Sequence, residues 1–508
     1  MHVAIIGAGI AGMATALRLQ ARGVKTTLFE AHGQPGGCAG FFRRRGFSFD
    51  VGATTLVDFE AGGVGGELLE SVGLGPIEGE PLPGYVAWLP DRRVVLHRDQ
   101  AAWGRERLRA FGDDAAHRAF WALLDRLADV FWRASRAGVC LPLRGAADLA
   151  RAASLLSPRD WPLARHLGRT MGDALRAAGL AGDRALRGLL GMLIEDTVHS
   201  SVERAPLINA ALGVTIRGAG LTRAAGGMRG FFRALAARYR ALGGALRVGC
   251  RVDRVEGREG AFTLVTQRGR FEADQIVSGL PAELSAAVGP PGVAEALAPH
   301  LAHNRGAEGG ALVVFLGVPE REIAGQGFTH HQLLHDYEAP LGSGNNMFLS
   351  LSAPGDTESA PEGYRALMIS THCELGPWQG LAPADYAAAR DAAGARLVEL
   401  ARRVYPELAA RPLVYEVATP RTYERFTRRP RGAVGGFRLG LDNANQRAIP
   451  HDVGVPGFWL VGDTTWPGLG TVACVLGSRA VADRVCARAR RALPAAGARL
   501  RREAPRGA

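Results

Sequence analysis

The chain has 508 residues, 47% hydrophobic and 22% charged, with a formal net charge of +12. That length is too great for one ordinary core, so two or three lobes are expected, and the composition is that of a globular protein. The positive charge does not imply a nucleic-acid partner: Lys25 is the sole lysine, the arginines are spread along the chain, and the clusters Arg43–Arg45, Arg428–Arg431 and Arg499–Arg502 are expected on solvated faces.

Residues 2–6 (His-Val-Ala-Ile-Ile) read as a buried strand, Gly7 to Gly12 as a tight turn, 11–22 as a helix stopped by Gly23, and Lys25 to Glu30 as a second strand. No basic segment opens the chain and glycines interrupt its first apolar run, so residues 1–19 are expected to be mature structure and not a signal peptide. From about 100 to 220, Ala, Leu and Arg dominate with apolar residues at helical spacing, as at Leu123, Leu124, Leu127, Val130 and Phe131, which predicts a helical insertion. A helix from Phe231 to Leu242 follows Gly226-Gly227, then strands at Ala245–Val248, Arg251–Glu256, Ala261–Thr266 and Gln275–Val277. Longer β runs are predicted at Ala311–Leu316, Met347–Leu351 and Ala366–Thr371, with a helix around 384–403. A strand at Phe458–Val461, a Gly-Asp corner and a helix from about 471 to 491 close the pattern, and the tail from Leu493 is expected to be disordered. No apolar run of transmembrane length occurs. Cys38, Cys140, Cys250, Cys373, Cys474 and Cys486 are scattered without CxxC spacing, so reduced thiols in a reducing, cytoplasmic setting are expected.

The chemistry begins at Gly7-x-Gly9-x-x-Gly12. A lone glycine turn is a weak signal, but this one follows a strand and opens a helix. Gly7 permits the turn, Gly9 lets the backbone approach a pyrophosphate, and Gly12 lets helix and strand pack closely, so that the helix N-terminus faces the phosphates. Glu30, ending the second strand, can accept hydrogen bonds from ribose hydroxyls and disfavours a 2′-phosphate. Two further features favour FAD over NAD: Gly36-Gly37-Cys38-Ala39-Gly40 followed by Gly46 to Gly52, and the C-terminal Gly462-Asp463-Thr464 with Gly470-Thr471-Val472. The amides at 470–472 open a helix and suit the negative charge of a reduced flavin.

The runs Phe49-Asp50-Val51-Gly52-Ala53-Thr54, Glu60 to Gly63, Thr419 to Thr427 and Gly432 to Gly436 resemble the phytoene desaturase superfamily of carotenoid oxidoreductases. Gly36–Phe42, Leu141–Gly145, Met171–Leu180 and Leu334–Pro340 look most like bacterial carotenoid 3′,4′-desaturases of the cyanobacterial type. The resemblance implies an α/β fold: a Rossmann-type FAD-binding domain of the GR2, amine-oxidase-like kind, an α+β substrate domain and a helical insertion. The expected division is 1–60, 221–290 and 446–492 for FAD binding, 61–105 and 291–445 for substrate, 106–220 for the insertion, and 493–508 for the basic tail. Cofactor contacts are expected at Gly7, Ala8, Gly9, Ile10, Ala11, Gly12, Glu30, Ala31, Gly36, Gly37, Cys38, Gly52, Ala53, Thr54, Val252, Gly462, Asp463, Gly470, Thr471 and Val472.

The resemblance also implies an apolar polyene substrate in a tunnel between the substrate sheet and the insertion, with a quinone or O2 as electron acceptor. Apolar burial at ~25 cal/mol per Å² suffices to hold such a ligand. Val130, Phe131, Trp132, Leu141, Leu143, Leu155, Leu156 and Trp161 either pack in a core or lie against the inner face of a membrane. Desaturation sends a hydride to flavin N5 and a proton to a base or water. Glu195, Asp196 and His199 are the candidate acceptors, although a solvated turn between helices is the preferred reading of that stretch. His330, His331 and His335, near Asp336 and Glu338, lie in a strand-and-loop pattern that favours a structural role over a metal site. A carotenoid cis–trans isomerase using reduced FAD, a flavin amine oxidase and a non-enzymatic prenyl-protein escort-like binder are the rival functions.

Overall fold

The computed structural model describes residues 1–155 and 157–492. Leu156 and the tail from Leu493, for which expectations are given above, lie outside the described residues.

Five strands form a parallel sheet in the order Ala245–Arg247, Lys25–Phe29, His2–Ile6, Gln275–Ser278, Phe458–Leu460. They come from three separate stretches of sequence. Side chains alternate along the first strand. Val3 and Ile5 point into a core shared with helix Ile10–Ala21 and the closing helix Thr471–Ala492, whereas Ala4 and Ile6 point into one shared with the antiparallel ribbon Val252–Arg258, Ala261–Thr266 and Gly269–Ala273. Both faces are therefore covered, and the first strand is accordingly apolar from Val3 to Ile6. Because every strand runs the same way, the residues that follow them, Gly7, Glu30, Gly279 and Gly462, emerge at one edge of the sheet.

A second, larger sheet runs Val414–Ala418, Glu308–Pro319, Tyr364–Cys373, Asn346–Leu351, His330–Leu334, Gly84–Trp88, Arg93–His97. The strand expected at Ala311–Leu316 extends over twelve residues. Its flanking Gly310 and Gly317 are poor strand formers alone, and pairing with Tyr364–Cys373 carries them into the sheet, while Gly309 pairs with Val434. The hairpin Phe41–Arg44/Phe47–Asp50 leans on this sheet through Phe42, Phe49 and Phe315, with Phe42 and Phe49 centroids 5.2 Å apart. At the hairpin's end Asp50 forms a buried ion pair with Arg223 at 3.0 Å and accepts from the Met228 amide at 2.8 Å. Helices Gln100–Phe111, Ala115–Arg136, Ala146–Ser154, Met171–Ala177, Arg184–Val198 and Leu207–Thr215 make up the predicted helical region. Among the described residues no helix is long and apolar enough to cross a membrane.

The turn at Gly7 depends on backbone contact. Its N–H donates to the Phe29 carbonyl at 2.7 Å, and a Cβ on Gly12 would fall 2.0 Å from the Gly7 carbonyl oxygen. Alanine normally favours a helix interior over glycine, but here the clash reverses the sign. Gly12→Ala is expected to cost more than about 3 kcal/mol in thermal or urea unfolding. Gly9→Ala, whose Cβ would meet nothing nearer than 4.0 Å, is expected to leave stability within about 1 kcal/mol.

Candidate active site

One cavity of about 1140 Å³ opens at the shared sheet edge and continues to the large sheet. That exceeds the ~300–1,000 Å³ of ordinary ligand pockets. Gly7, Gly9, Ile10, Ala11, Glu30, Ala31, Gly36, Gly37, Cys38, Gly52, Ala53, Thr54 and Val252 line it, as do Gly462, Asp463, Gly470, Thr471 and Val472. The two ends of the chain thus meet around the same space. Ala8 and Gly12 stand behind the wall. Ala8 is buried and its amide donates to Glu30 at 2.8 Å, while Gly12 is the packing contact described above.

Glu30 also accepts from the His32 amide at 2.8 Å. Burial raises its pKa, and the amides of His32 and Ala8 offset part of that rise. Asp463 is paired with Arg429 at 2.7 Å, each side chain 13% exposed. Burial opposes the charge on Arg429, but the adjacent Asp463 carboxylate outweighs it. The cluster Arg428–Arg431 is therefore not simply a solvated face. Arg429 points inward to Asp463, and Arg431 reaches the buried Glu308 at 3.0 Å. Sequence reading missed Arg429 because a run of arginines has no periodicity that separates the inward one from its exposed neighbours. Its position just after the Thr419–Thr427 run was the available signal.

Beyond the glycine loops the cavity passes between Val313, Phe315, Met347 and Phe348 of the large sheet and Met192, Thr197 and Ile216 of the helical region. Asp196 and His199 face it and Glu195 does not. The expected solvated turn is instead the C-terminal end of helix Arg184–Val198. His199 ends that helix in the left-handed region at φ 50°, a place usually taken by Gly or Asn, and is buried. Its ring packs on Gly435, where a Cβ would fall 2.1 Å from it, and stands 4.4 Å from the ring of His372. Burial keeps His199 neutral, its pKa well below the ordinary value, and raises that of Asp196. Burial also works against charge on His372, but Glu195, 3.8 Å away, and Asp196 outweigh it and raise its pKa. His372 lies on strand Tyr364–Cys373 and was not singled out in the sequence, because nothing local marks one histidine of a buried strand as cavity-facing.

His330 and His331 are fully buried on strand His330–Leu334. His330 meets Ser350 Oγ at 3.0 Å and stacks on Tyr85, while His331 accepts from Trp88 Nε1 at 3.2 Å and meets the Tyr405 hydroxyl at 2.9 Å. Strand alternation sends them to opposite faces, into separate hydrogen-bonded niches.

The pattern of the flavin-containing amine oxidoreductases matches residues 10–486. The chain belongs to that family. It is accordingly an FAD-dependent oxidoreductase, and the cavity fits such a cofactor: glycines keep the backbone at 7–12 and 36–37 open to it, and the carboxylate of Glu30 and the start of the closing helix face the same space. Relatives of this flavin-containing chain act on carotenoids. It is 26% identical over 518 residues to prolycopene isomerase of Arabidopsis thaliana, covering 95% of this chain and 82% of the relative. It is 27% identical over 513 residues to hydroxyneurosporene desaturase of Cereibacter sphaeroides, covering 96% and 97%. Putrescine oxidase with bound putrescine shares the fold at a TM-score of 0.62 and 17% identity, covering 96% of this chain and 99% of that one. These relatives uphold the carotenoid oxidoreductase resemblance without distinguishing a 3′,4′-desaturase.

Asp463→Asn leaves Arg429 buried without a counter-ion. A stability loss of about 3 kcal/mol or more is expected, with a lower flavin-to-protein absorbance ratio in the purified variant. Asp463→Asn/Arg429→Gln is expected to regain stability, because the orphaned charge is gone.

Proposed function

We propose that this flavoenzyme desaturates a carotenoid, introducing a C=C bond into an acyclic polyene, with the 3′,4′ position as the first candidate. The observation that carries the reading is the single cavity joining the glycine cradle to an apolar wall of the large sheet. Gly7, Gly9, Gly36, Gly37 and the amides at 470–472 hold the cofactor in this reading, Glu30 binds its ribose, and the Arg429–Asp463 pair lies beside it. When bound, FAD supplies the two-electron acceptor for removal of two hydrogens from neighbouring carbons. The chain's own part is to orient and to exclude water. Val313, Phe315, Met347 and Phe348 offer apolar area along a long ligand, and the neutral imidazole of His199 and the carboxylate of Asp196 are cavity-facing groups at that end able to take a proton.

The substrate is insoluble, so delivery from a membrane surface belongs to the reading, with a quinone or O2 reoxidising the cofactor. Of the described apolar side chains expected to face lipid, Trp132 and Leu141 pack against one core and Val130 against another, and Trp161 alone is strongly exposed. Leu149 and Leu167 join it, among the exposed Arg151, Arg159, Arg165 and Arg169, and these support a peripheral contact there.

The prolycopene isomerase relatives favour a second reading, isomerisation with reduced FAD. A flavin amine oxidase is a third reading, for which Tyr85 and Phe348, facing the cavity with centroids 5.6 Å apart and planes 60° apart, are the aromatic pair. Purified holoenzyme incubated with acyclic carotenoids is expected to give a red-shifted product two hydrogens lighter by mass spectrometry. Altered geometry at constant mass establishes the isomerase instead, and peroxide release with amines the oxidase.

A further inference from the structure

His199, His372 and Glu195 lead from the cavity outward. His199 ends helix Arg184–Val198 and His372 lies on strand Tyr364–Cys373; both line the cavity, with ring centres 4.4 Å apart and planes at 67°. The two rings share no hydrogen bond, yet all four ring nitrogens keep accessible surface, so one water molecule or a small ring rotation joins them. His372 Nδ1 stands 3.8 Å from Glu195 Oε2. Glu195 does not line the cavity, but its side chain is 16% exposed, and the Asn346 side-chain amide donates to the same Oε2 and fixes it. A carboxylate that meets solvent outside the cavity is thus one histidine away from a base inside it.

Removal of two hydrogens leaves a proton where a charge is costly. The hydride departs with both electrons of one C–H bond. The neighbouring C–H bond breaks, its electron pair becomes the new C=C, and its proton passes to a ring nitrogen of His199. Burial disfavours charge on His199, and so do the adjacent His372 and Arg438. On His372 burial and Arg438 also oppose charge, but Glu195 and Asp196 outweigh them. Arg438 is itself paired with Glu374 at 2.6 Å, and Asp196 accepts from Gln332 at 3.1 Å. We propose that His199, His372 and Glu195 form a proton exit, carrying the proton released at the substrate out of the apolar cavity to solvent. His199 meets the substrate, His372 relays and Glu195 releases. This rests on the dehydrogenation reading above and adds to it the route the proton takes.

The test uses FAD-loaded full-length protein and an acyclic carotenoid, with the rate at which the lengthened polyene absorbs in a single turnover as readout. His372 relays only if it is neutral when the proton arrives. The wild-type rate is therefore expected to fall as pH is lowered through a value above the ordinary 6.5. Glu195→Gln keeps the shape and an acceptor for Asn346 but removes the charge. It is expected to move that inflection to lower pH and to slow the plateau about tenfold, with the half-saturating carotenoid concentration within about twofold. His372→Gln is expected to abolish the inflection and slow the rate about 100-fold. Side chains that only pack would leave the pH dependence in place. A wild-type rate that is flat across the range in which histidine titrates overturns the exit, and that measurement needs no variant to fold. An inflection unmoved by Glu195→Gln overturns it too. In both cases the conversion itself leaves the desaturase reading standing, whereas a wild type that converts no acyclic carotenoid removes that reading and the exit with it.

Discussion

The parallel pairing of Val3–Ile6 with Gln275–Ser278, and of Ile276–Ser278 with Phe458–Leu460, sets where each cavity-lining loop emerges. A parallel sheet places all its strand ends on one edge, so segments separated by hundreds of residues deliver Gly7, Glu30, Gly279 and Gly462 to a common rim. The contact of Gly12 with the Gly7 carbonyl then fixes how closely the first helix approaches that rim. Remove this register and the glycine cradle, the Arg429–Asp463 pair and the route to the large sheet no longer share a space.

Much of the cofactor end was legible in the sequence, because backbone-determined features leave local marks. A glycine where no Cβ fits, a carboxylate closing a strand and a Gly-Asp corner following one are each visible within a few residues. The first and last strands of the nucleotide-binding sheet were legible in the same way, since burial on both faces favours short apolar runs such as Val3–Ile6 and Phe458–Leu460. The far end was not. Arg217, Gln332, Tyr85 and His372 come from four elements, and what makes them notable is burial and mutual distance, neither of which a linear pattern encodes. Glu195–His199 shows the opposite failure: the polar residues suggested a solvated turn, whereas the helix carries Asp196 and His199 to a protein-lined cavity and His199 takes a left-handed conformation there. The arginine runs misled similarly at Arg429, where one buried partner outweighed the bias toward solvent.

The cavity thus combines two environments. Near the glycine loops backbone amides and one carboxylate suit a nucleotide. Farther along, apolar side chains of the large sheet and the helical region form a wall interrupted by a compact polar group around Arg217 and Asp196. Charges in such a wall are expensive and are kept only where they are compensated or used. Asp463 compensates Arg429 within the protein. Arg217 has no such carboxylate within ion-pair distance among the described residues, and its Nη2 donates to the neutral Gln332 instead.

A crystal structure of the purified holoenzyme tests the convergence of the two chain ends most directly. The account requires density for one FAD in the cavity, its pyrophosphate at the Gly7–Gly12 turn and its isoalloxazine beside Gly470–Val472. A flavin bound by only one of these segments, or density elsewhere in the molecule, would contradict it.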